Sequence, residues 1–444
     1  MDMDYVWMQF EKQKGKALYQ QIHDFFVKQL LSGYWKQGDH LPSIRRCAGL
    51  LSVSLTSIKN AYAQLEEEGY IEALPRQGYF VCVSEAGVNL RKELLRSDET
   101  EQKPHFQYDF KTSAIDEASF DSLNWKRCVR FAMEQEDLLE YGEVQGETVL
   151  RKALQRHAYG YRGIACHEDQ ILVGASVQTL LYQLCGLLGK RKIIYMHTPP
   201  FSQAKQVFED CGWEVHLCDV TALTQNDWEK MSFLYLHTVA FGDEKAPMPR
   251  HLRKTYCELA KRHHVYLIED DKNGELRYVR RSESALFAAD EGERVIYLST
   301  FSKLLAPSLR IAYMILPQPL KQRYEAKKSD YNPTASKMEQ LALARYLTNA
   351  HMEKHLNQLR KRYAEKYRKM AELLQRSVPH WEWVLHETAL RIHVRKASVL
   401  PDEIPEEIAY DENAEEIILS FAKIDSKDME KAFQLFADHK MTGK

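Results

Sequence analysis

The chain has 444 residues, enough for two or three domains, and 44% of them are hydrophobic, which is ample for large buried cores. Its formal net charge of −2 argues against a protein that is basic throughout, such as a nucleic-acid coat protein, although a local basic patch is still allowed. The 8 cysteines are scattered without a Cys-x-x-Cys pair, so neither a zinc ribbon nor a thioredoxin-like site is expected.

The sequence gives no signal for export or for membrane insertion. The first residues are acidic and lack the apolar segment of a signal peptide. The longest apolar runs are shorter than the roughly 20 residues that a membrane helix needs. Scattered thiols fit a reducing compartment. We therefore expect a cytoplasmic protein.

Residues 1–83 have the pattern of a winged helix-turn-helix domain. Apolar residues at intervals of three and four predict an amphipathic helix over 16–31. Two shorter helices, over 44–51 and 55–68, are separated by a tight turn, and two β-like runs over 70–83 follow with a basic, glycine-bearing turn between them. Two helices joined by a short turn and followed by a hairpin are typical of winged helices that bind DNA.

The helix over 55–68 would enter the major groove with its N-terminal end. Asn60 suits adenine, while Lys59 and the hydroxyls suit phosphate or guanine. The predicted DNA-contacting residues are Ser43, Arg45, Arg46, Ser54, Thr56, Ser57, Lys59, Asn60, Arg76, Gln77 and Gly78. The alternative is that the two short helices only form part of a hydrophobic core and that their charged residues face solvent. The equal numbers of basic and acidic residues in the domain favour this alternative. The stretch 42–60, however, contains three basic residues and no acid.

Three segments of this domain strongly resemble the DNA-binding head of the GntR family. They are Leu41-Pro-Ser-Ile-Arg-Arg, Ser54-Leu-Thr-Ser-Ile-Lys-Asn-Ala-Tyr and Glu68-Gly-Tyr-Ile. The resemblance implies a domain that binds an operator. The family usually carries an arginine where Leu55 stands, which implies a lost contact to phosphate or base.

Residues 84–107 are charged and mostly polar, and they predict a solvated linker between this head and a body over 108–444. Strands and helices alternate in the body, which predicts an α/β domain with a mostly parallel sheet. Helical segments over 339–349 and 352–377 precede a small lobe that begins near residue 378.

Two turns of the body precede predicted helices. Tyr141-Gly-Glu-Val-Gln-Gly146 is a weak turn motif by itself, and Gly174-Ala175-Ser176 joins a strand over 170–173 to a helix over 179–188. A turn of this second kind offers free backbone N–H groups and the positive end of a helix dipole, which suit a phosphate. A strand-to-helix turn that binds nothing is equally common, so both interpretations stay open.

Acidic residues end one buried strand. Glu269, Asp270 and Asp271 follow the apolar run 265–268. The carboxyl end of a buried strand is where ligand sites of α/β proteins form. This run is therefore a candidate part of a binding site.

Lys303 follows the β-like run 295–298 in a turn that is rich in hydroxyl groups. A lysine at the end of a buried strand is desolvated, which lowers its pKa, and a neutral amine can attack an aldehyde. The hydroxyls of Thr300 and Ser302 together with the guanidinium of Arg310 would bind a dianion beside that amine. Pyridoxal phosphate is a cofactor that carries both an aldehyde and a phosphate, so it would fit such a site. The alternative is a surface lysine in an ordinary loop.

The run Ser299-Thr-Phe-Ser-Lys303 with Arg310 resembles the Schiff-base segment of fold-type I pyridoxal-phosphate enzymes, the aspartate aminotransferase superfamily. The form Phe-Ser-Lys…Pro-Ser-Leu-Arg is most similar to the MocR group of GntR-type transcription regulators. The resemblance covers nearly the whole chain. It implies an α/β protein with an N-terminal winged helix-turn-helix, a large aminotransferase-like domain with a mostly parallel sheet, and a small C-terminal α+β lobe.

The resemblance also implies a homodimer that binds pyridoxal 5'-phosphate as an aldimine on Lys303. Asp270 would hold the ring nitrogen, Phe201 would stack on the ring, and the turn at Tyr141 would lie by the cofactor across the subunit interface. Asp271 would be structural. For Phe201 the ordinary alternative is core packing. The implied cofactor contacts are Lys303, Asp270, Arg310, Phe201, Gly174, Ala175, Ser176, Thr300, Ser302, Lys272 and Tyr141.

Three positions depart from the family pattern. Lys272 replaces a tyrosine that bonds the ring hydroxyl, so a cation would meet the phenolate oxygen or compete for the phosphate. The segment 238–247 lacks the usual Pro-x-His-Gln-x-Pro-Thr-Gly. Ile418 replaces an arginine that grips the substrate carboxylate, and Arg391 on the neighbouring strand is a candidate substitute.

These observations lead to three hypotheses. The altered substrate side favours a DNA-binding regulator that senses the cofactor or an amine ligand over a catalyst. An active aminotransferase with a DNA-binding head is the second hypothesis, and its test is a half-reaction with an amino acid. A cofactor-free dimeric regulator is the third, and the retained Lys303, Asp270 and Arg310 argue against it.

Overall fold

The computed structural model describes residues 17–75, 77–82, 108–111, 114–197, 201–280, 282–290, 292–377, 379, 381–395, 408–409, 411–412 and 416–441. Arg76, which is a predicted DNA contact, and the predicted linker 84–107 lie outside these residues. The chain divides into two compact units, residues 1–105 and 106–444, called the head and the body below.

The described part of the head contains helices and one antiparallel hairpin. Its elements are α1 (Leu18–Ser32), α2 (Ile44–Leu51), α3 (Leu55–Glu67), β1 (Ile71–Leu74) and β2 (Gly78–Val81). Ser43 caps α2 by accepting from the N–H of Arg46, and Ser54 caps α3 by accepting from the N–H of Ser57. Such caps satisfy backbone donors that a helix start would otherwise leave unpaired. The predicted order of helices and hairpin is confirmed.

The core of the head joins all three helices to the hairpin. Ile22, Phe26, Ile58 and Tyr62 are completely buried. The hydroxyl of Tyr62 donates to the carbonyl of Pro42 at 2.9 Å, which satisfies a polar atom that burial would otherwise leave unpaired. The apolar faces therefore point inward, and the N-terminal ends of α2 and α3 face solvent.

The body is built on a central sheet with helices on its flanks. Its helices are α4 (Ser122–Met133), α5 (Thr148–Arg162), α6 (Val177–Leu188), α7 (Ser202–Asp210), α8 (Gln225–Lys230), α9 (Arg250–His263), α10 (Leu286–Asp290), α11 (Gln318–Glu325), α12 (Lys337–Thr348), α13 (His351–Ser377) and α14 (Met429–Met441). Its strands are β3 (Tyr108–Asp109), β4 (Ile171–Gly174), β5 (Ile193–His197), β6 (Glu214–Cys218), β7 (Phe233–Leu236), β8 (Tyr266–Asp270), β9 (Val295–Thr300), β10 (Ala312–Ile315), β11 (Trp383–His386), β12 (Arg391–Arg395), β13 (Ile408–Ala409), β14 (Asp411–Glu412) and β15 (Glu416–Ser420).

The central sheet has the order β4-β10-β9-β8-β7-β5-β6. Neighbours from β9 to β6 are parallel, whereas β10 is antiparallel to both β4 and β9. Strands β7, β8 and β9 are almost entirely buried because helices cover both faces of the sheet. The predicted α/β body with a mostly parallel sheet is confirmed.

The C-terminal lobe contains an antiparallel sheet of order β11-β12-β15-β14. In its register Arg391 pairs with both His386 and Ser420, and His393 pairs with Ile418. A parallel pair of short strands, β3 and β13, joins the start of the body to this lobe. Over the described residues, none of the helices combines the length and the apolar character required to cross a membrane.

Candidate functional site

Lys303 lies just beyond the carboxyl end of β9, in the turn that leads to β10. Its side chain is buried, and its backbone N–H donates to Oδ1 of Asn273 at 3.2 Å. Burial, with the positive charge of Arg391 as a second cause, lowers the pKa of Lys303 to about 8. About a tenth of this amine is therefore neutral and nucleophilic at pH 7, far more than for an ordinary lysine.

Asp270 ends β8, the strand next to β9, and its side chain is completely buried. The hydroxyl of Tyr235 donates to Oδ2 of Asp270 at 2.6 Å, and Nζ of Lys272 lies 2.9 Å from the same oxygen. Burial raises the pKa of Asp270, but Lys272, His237 and Tyr235 outweigh it, so the net pKa lies below its ordinary value. Asp270 is therefore a buried, ionised carboxylate at the carboxyl edge of the sheet.

Lys272 connects Asp270 to Phe201. Its Nζ lies 3.3 Å from the centroid of the Phe201 ring, within the range of a cation–π contact. The ammonium thus contacts both the carboxylate and the aromatic face. The sequence predicted that Lys272 would meet a phenolate oxygen or a phosphate of the cofactor, and it did not anticipate this contact with Asp270.

His237 was not singled out from the sequence, yet it lies against the same carboxylate. Its Nδ1 is 3.4 Å from Oδ2 of Asp270, and its ring packs edge-on against Phe201 with centroids 6.2 Å apart. Burial, partly opposed by Asp270, lowers the pKa of His237 to about 4, so this imidazole is neutral at physiological pH. In the sequence it directly follows the apolar run 233–236, which is a weak indication of a site residue until the order of β7 and β8 in the sheet is known.

Asp271 belongs to a separate buried network. Nε and Nη2 of Arg162 lie 2.5 Å and 2.8 Å from its two carboxylate oxygens, and the hydroxyl of Tyr297 donates to Oδ2 at 2.8 Å. Arg162 also donates to the carbonyl of Glu283. These bonds tie α5, β8 and β9 together, which is a structural role of the kind expected for Asp271.

The turn between β4 and α6 combines a glycine with a helix cap. A Cβ on Gly174 would lie 2.9 Å from the side chain of Leu180, so a larger residue would force a shift there. Ser176 caps α6 by accepting from the N–H of Thr179 at 3.1 Å. The N–H of Ala175 makes only a long hydrogen bond, 3.4 Å, to the hydroxyl of Thr334, a residue that was not predicted. A phosphate at this turn would compete with that weak bond.

The second predicted group of phosphate contacts lies on the loop that carries Lys303. Oγ1 of Thr300 lies 3.0 Å from Oγ of Ser302 and donates to the carbonyl of Ile311 at 3.0 Å. Arg310 precedes β10 in the left-handed region, with φ of 52°, and its side chain is exposed. The two hydroxyls are held together, while Arg310 is exposed.

Tyr141 makes almost no contact within its own chain. Its exposed fraction is 99%, and that of Leu139 is 98%. Tyr141 therefore does not join the other predicted contacts inside one subunit, and its role across an interface stays a prediction.

Basic side chains line the lobe near Lys303. The rings of His386 and His393 have centroids 5.8 Å apart, and Nδ1 of His393 lies 2.9 Å from Oε2 of Glu416. Burial lowers the pKa of His386 well below its ordinary value, and nearby basic groups, among them His393 and Arg391, add to the effect. Ile418 of β15 pairs with His393 of β12, and its side chain carries no charge. Arg391 is thus the arginine on this wall that acts electrostatically on Lys303.

The predicted DNA-contacting residues lie at the exposed starts of α2 and α3 and at the turn of the hairpin. Ser43, Arg45, Arg46, Ser54, Thr56, Lys59, Asn60 and Gln77 are exposed, and Ser57 and Gly78 are partly buried. Leu55, at the first position of α3, is 51% exposed. His40 holds the hairpin turn, because its Nε2 lies 2.6 Å from the carbonyl of Gln77.

Comparison with known proteins agrees with this architecture. The family described as bacterial regulatory proteins of the gntR family matches residues 18–81. The HTH-type transcriptional regulator YdeL of Bacillus subtilis (strain 168) is 32% identical over 372 residues, which are 81% of this chain and 80% of that protein. The chain belongs to the MocR-type HTH transcription regulators. The probable rhizopine catabolism regulatory protein MocR of Rhizobium meliloti is 24% identical over 426 residues, 87% of this chain and 83% of that protein.

The body of this MocR-type regulator has the fold of an aminotransferase. The kynurenine aminotransferase of Pyrococcus horikoshii superposes with a TM-score of 0.64 at 23% identity, covering 79% of this chain and 93% of that chain. The regulator therefore joins a GntR-type head to an aminotransferase-like body, as the sequence predicted.

Proposed function

We propose that this MocR-type regulator binds pyridoxal 5'-phosphate at Lys303 and that its head binds an operator, so that the body senses the cofactor or an amine ligand. The observation that carries the proposal is the pairing of two buried groups on adjacent strand ends. Lys303 follows β9 with a lowered pKa, and the ionised Asp270 ends β8. A plain structural scaffold has no need of a desolvated amine and a desolvated carboxylate at one sheet edge.

The residues present fit this cofactor. An amine, an aromatic face and a carboxylate lie at the carboxyl ends of strands or just beyond them, where α/β folds form ligand sites. When bound, pyridoxal phosphate supplies an aldehyde and, with a protonated ring nitrogen, an electron sink. Lys303 would hold its aldehyde end, Asp270 its ring nitrogen and Phe201 its ring face. Ser176 with the N-terminus of α6, and the loop of Thr300, Ser302 and Arg310, would hold the phosphate.

The protein residues prepare this site in defined ways. Burial keeps the Lys303 amine partly neutral, which makes it a nucleophile. The hydroxyl of Tyr235 holds the Asp270 carboxylate in one orientation through a 2.6 Å hydrogen bond. The neutral ring of His237 lies against both Asp270 and Phe201.

The ligand side of the pocket supports sensing over turnover. Ile418 cannot make the bidentate carboxylate contact that the family arginine provides. Arg391 instead places a guanidinium on this wall, beside the imidazoles of His386 and His393 on β11 and β12. Its positive charge suits an amine that also carries an acid group. Such a ligand would act by binding one arrangement of the protein more tightly than another.

Exposure of apolar side chains supports a homodimer. Leu139 and Tyr141 lie almost wholly in water in the single chain, and an interface with a second copy would bury them. A dimer would carry two heads, which suits an operator with repeated half-sites.

An absorption spectrum of the purified protein tests the proposal. Wild type incubated with pyridoxal 5'-phosphate should show a visible band that borohydride reduction fixes to Lys303. Lys303→Ala should show no such band, whereas Lys254→Ala should behave as wild type because that lysine is 82% exposed on α9. A wild-type protein without a band would discard cofactor binding and leave the cofactor-free regulator. Loss of the band on adding an amino acid, with formation of the pyridoxamine form, would instead establish the aminotransferase.

A further inference from the structure

The ammonium of Lys272 lies between two groups that a cationic aromatic ring would use. It is 2.9 Å from Oδ2 of Asp270 and 3.3 Å from the centroid of the Phe201 ring. The backbone N–H of the same residue donates to Oδ1 of Asp270 at 3.3 Å. The side chain therefore folds back over its own strand end and places its charge on the buried carboxylate.

This contact satisfies Asp270 without any ligand. A buried carboxylate that lacks a counter-charge is costly, and the ammonium at 2.9 Å offsets part of that cost. Tyr235 and His237 add contacts at 2.6 Å and 3.4 Å to the same oxygen. The carboxylate and the aromatic face are thus already engaged by groups of this chain.

We infer that Lys272 is an internal competitor for the cofactor subsite, because its ammonium takes up the carboxylate of Asp270 and the face of Phe201 that the ring of a bound cofactor requires. This inference rests on the proposed function. A ring that stacked on Phe201 and paired with Asp270 would need the same space, so the ammonium must leave before the ring can bind. Lys272 therefore lowers the affinity of the site for the ring.

The side chain has a route out of the subsite. It is 22% exposed, whereas Asp270 is completely buried, so the flexible lysine can move into water while the carboxylate stays. The free energy needed to break the ion pair between Lys272 and Asp270 then reduces the net binding free energy of the ring. The consequence is weaker, reversible cofactor binding, with occupancy that follows the cofactor concentration, as a sensor requires.

Equilibrium titration of the cofactor-free full-length protein tests this inference. The two probes are pyridoxal 5'-phosphate and 4'-deoxypyridoxine 5'-phosphate, which has the same ring and phosphate but no aldehyde. Absorbance and protein fluorescence report binding, and neither depends on turnover. Lys272→Met should bind both probes about tenfold more tightly than wild type, because the competing charge is gone while the stem of the side chain is retained.

Two further variants make the result specific. Lys272→Tyr introduces the residue that the family usually carries, and it should also bind both probes more tightly, which keeps the test open if the methionine variant does not fold. Lys254→Met removes an exposed lysine of α9 and should leave both affinities unchanged. Unchanged or weaker binding of the probes by the folded Lys272 variants would overturn the inference and leave the proposed function intact. No binding of either probe by any variant would overturn the proposed function and this inference with it.

Discussion

Arg162 and Asp271 form a bidentate ion pair in the interior of the body, with N–O distances of 2.5 Å and 2.8 Å. The two side chains come from α5 and from the residue after β8, and both are essentially without solvent contact. The pair lies directly beside the candidate site, because Asp271 follows Asp270.

This geometry predicts that Asp271→Asn destabilises the body. Removing one partner leaves a buried guanidinium without its counter-charge, and such changes cost about 3–5 kcal/mol. Thermal unfolding followed by circular dichroism should show a clearly lower midpoint for the body. Glu382→Gln is the control, because its partner Arg395 and Glu382 itself are largely exposed and such pairs contribute about 1 kcal/mol or less. A midpoint for Asp271→Asn equal to that of wild type would refute the structural role.

The lowered pKa of Lys303 predicts how its reactivity depends on pH. A protonated amine does not attack an aldehyde, so the neutral fraction sets the rate, and that fraction rises as the pH rises toward about 8. The rate of covalent trapping with pyridoxal phosphate and borohydride should increase about tenfold from pH 6 to pH 7 and level off above pH 8. Arg391→Gln removes one cause of the lowered pKa, so its plateau should move to higher pH. A rate that keeps rising to pH 10 in wild type would contradict the assigned environment of Lys303.

The exposed position of Leu55 leads us to predict that an arginine there would strengthen DNA binding by the head. It is 51% exposed at the first position of α3, where the GntR family usually carries an arginine. Leu55→Arg should therefore tighten binding to duplex DNA and make it more salt-dependent, because one added phosphate contact raises the slope of log affinity against log salt by about one. Fluorescence anisotropy at several salt concentrations measures both quantities. The control is Leu50→Arg, also at an exposed leucine, on α2 outside the predicted contact set. An equal gain from both variants would mean that added charge alone is responsible.

Arg391 predicts which amines the body detects. If its guanidinium receives an acid group, amino acids should perturb the cofactor spectrum at lower concentration than the amines formed from them by decarboxylation. Arg391→Gln should abolish most of this preference, a loss of about tenfold or more, because a charge-assisted contact is removed. Arg395 lies on the same strand and is paired with Glu382 at the surface. The control variant Arg395→Gln should therefore keep the preference. A preference that survives in Arg391→Gln would assign the acid group to other residues.

Local features of the site were accessible from the sequence. The strand before Lys303 and its apolar residues predicted a desolvated amine, and the structure gives that lysine a lowered pKa. The order of helices and hairpin in the head was also accessible, because helical periodicity and turn residues mark each local element.

Contacts between distant segments were not accessible. Arg162 and Asp271 are 109 positions apart, and no local pattern pairs them. The contact of Lys272 with Asp270 joins residues two positions apart at a strand end, where extended geometry would point them along the same face but does not fix how a long side chain folds back. His237 was missed because a histidine after a strand has many roles, and only the order of β7 and β8 in the sheet brings it to Asp270.

The first described residues of the body are part of the C-terminal lobe. Tyr108 and Asp109 run parallel to Ile408 and Ala409, and the carbonyl of Phe110 accepts from the N–H of Ser420 at 2.7 Å. Ser420 in turn pairs with Arg391 across β15 and β12. The start of the body is therefore hydrogen-bonded to β15, the strand beside the wall that would receive a ligand. Within the body, a shift of β12 would reach Phe110 through the backbone hydrogen bonds of a single intervening strand, without involving the central sheet.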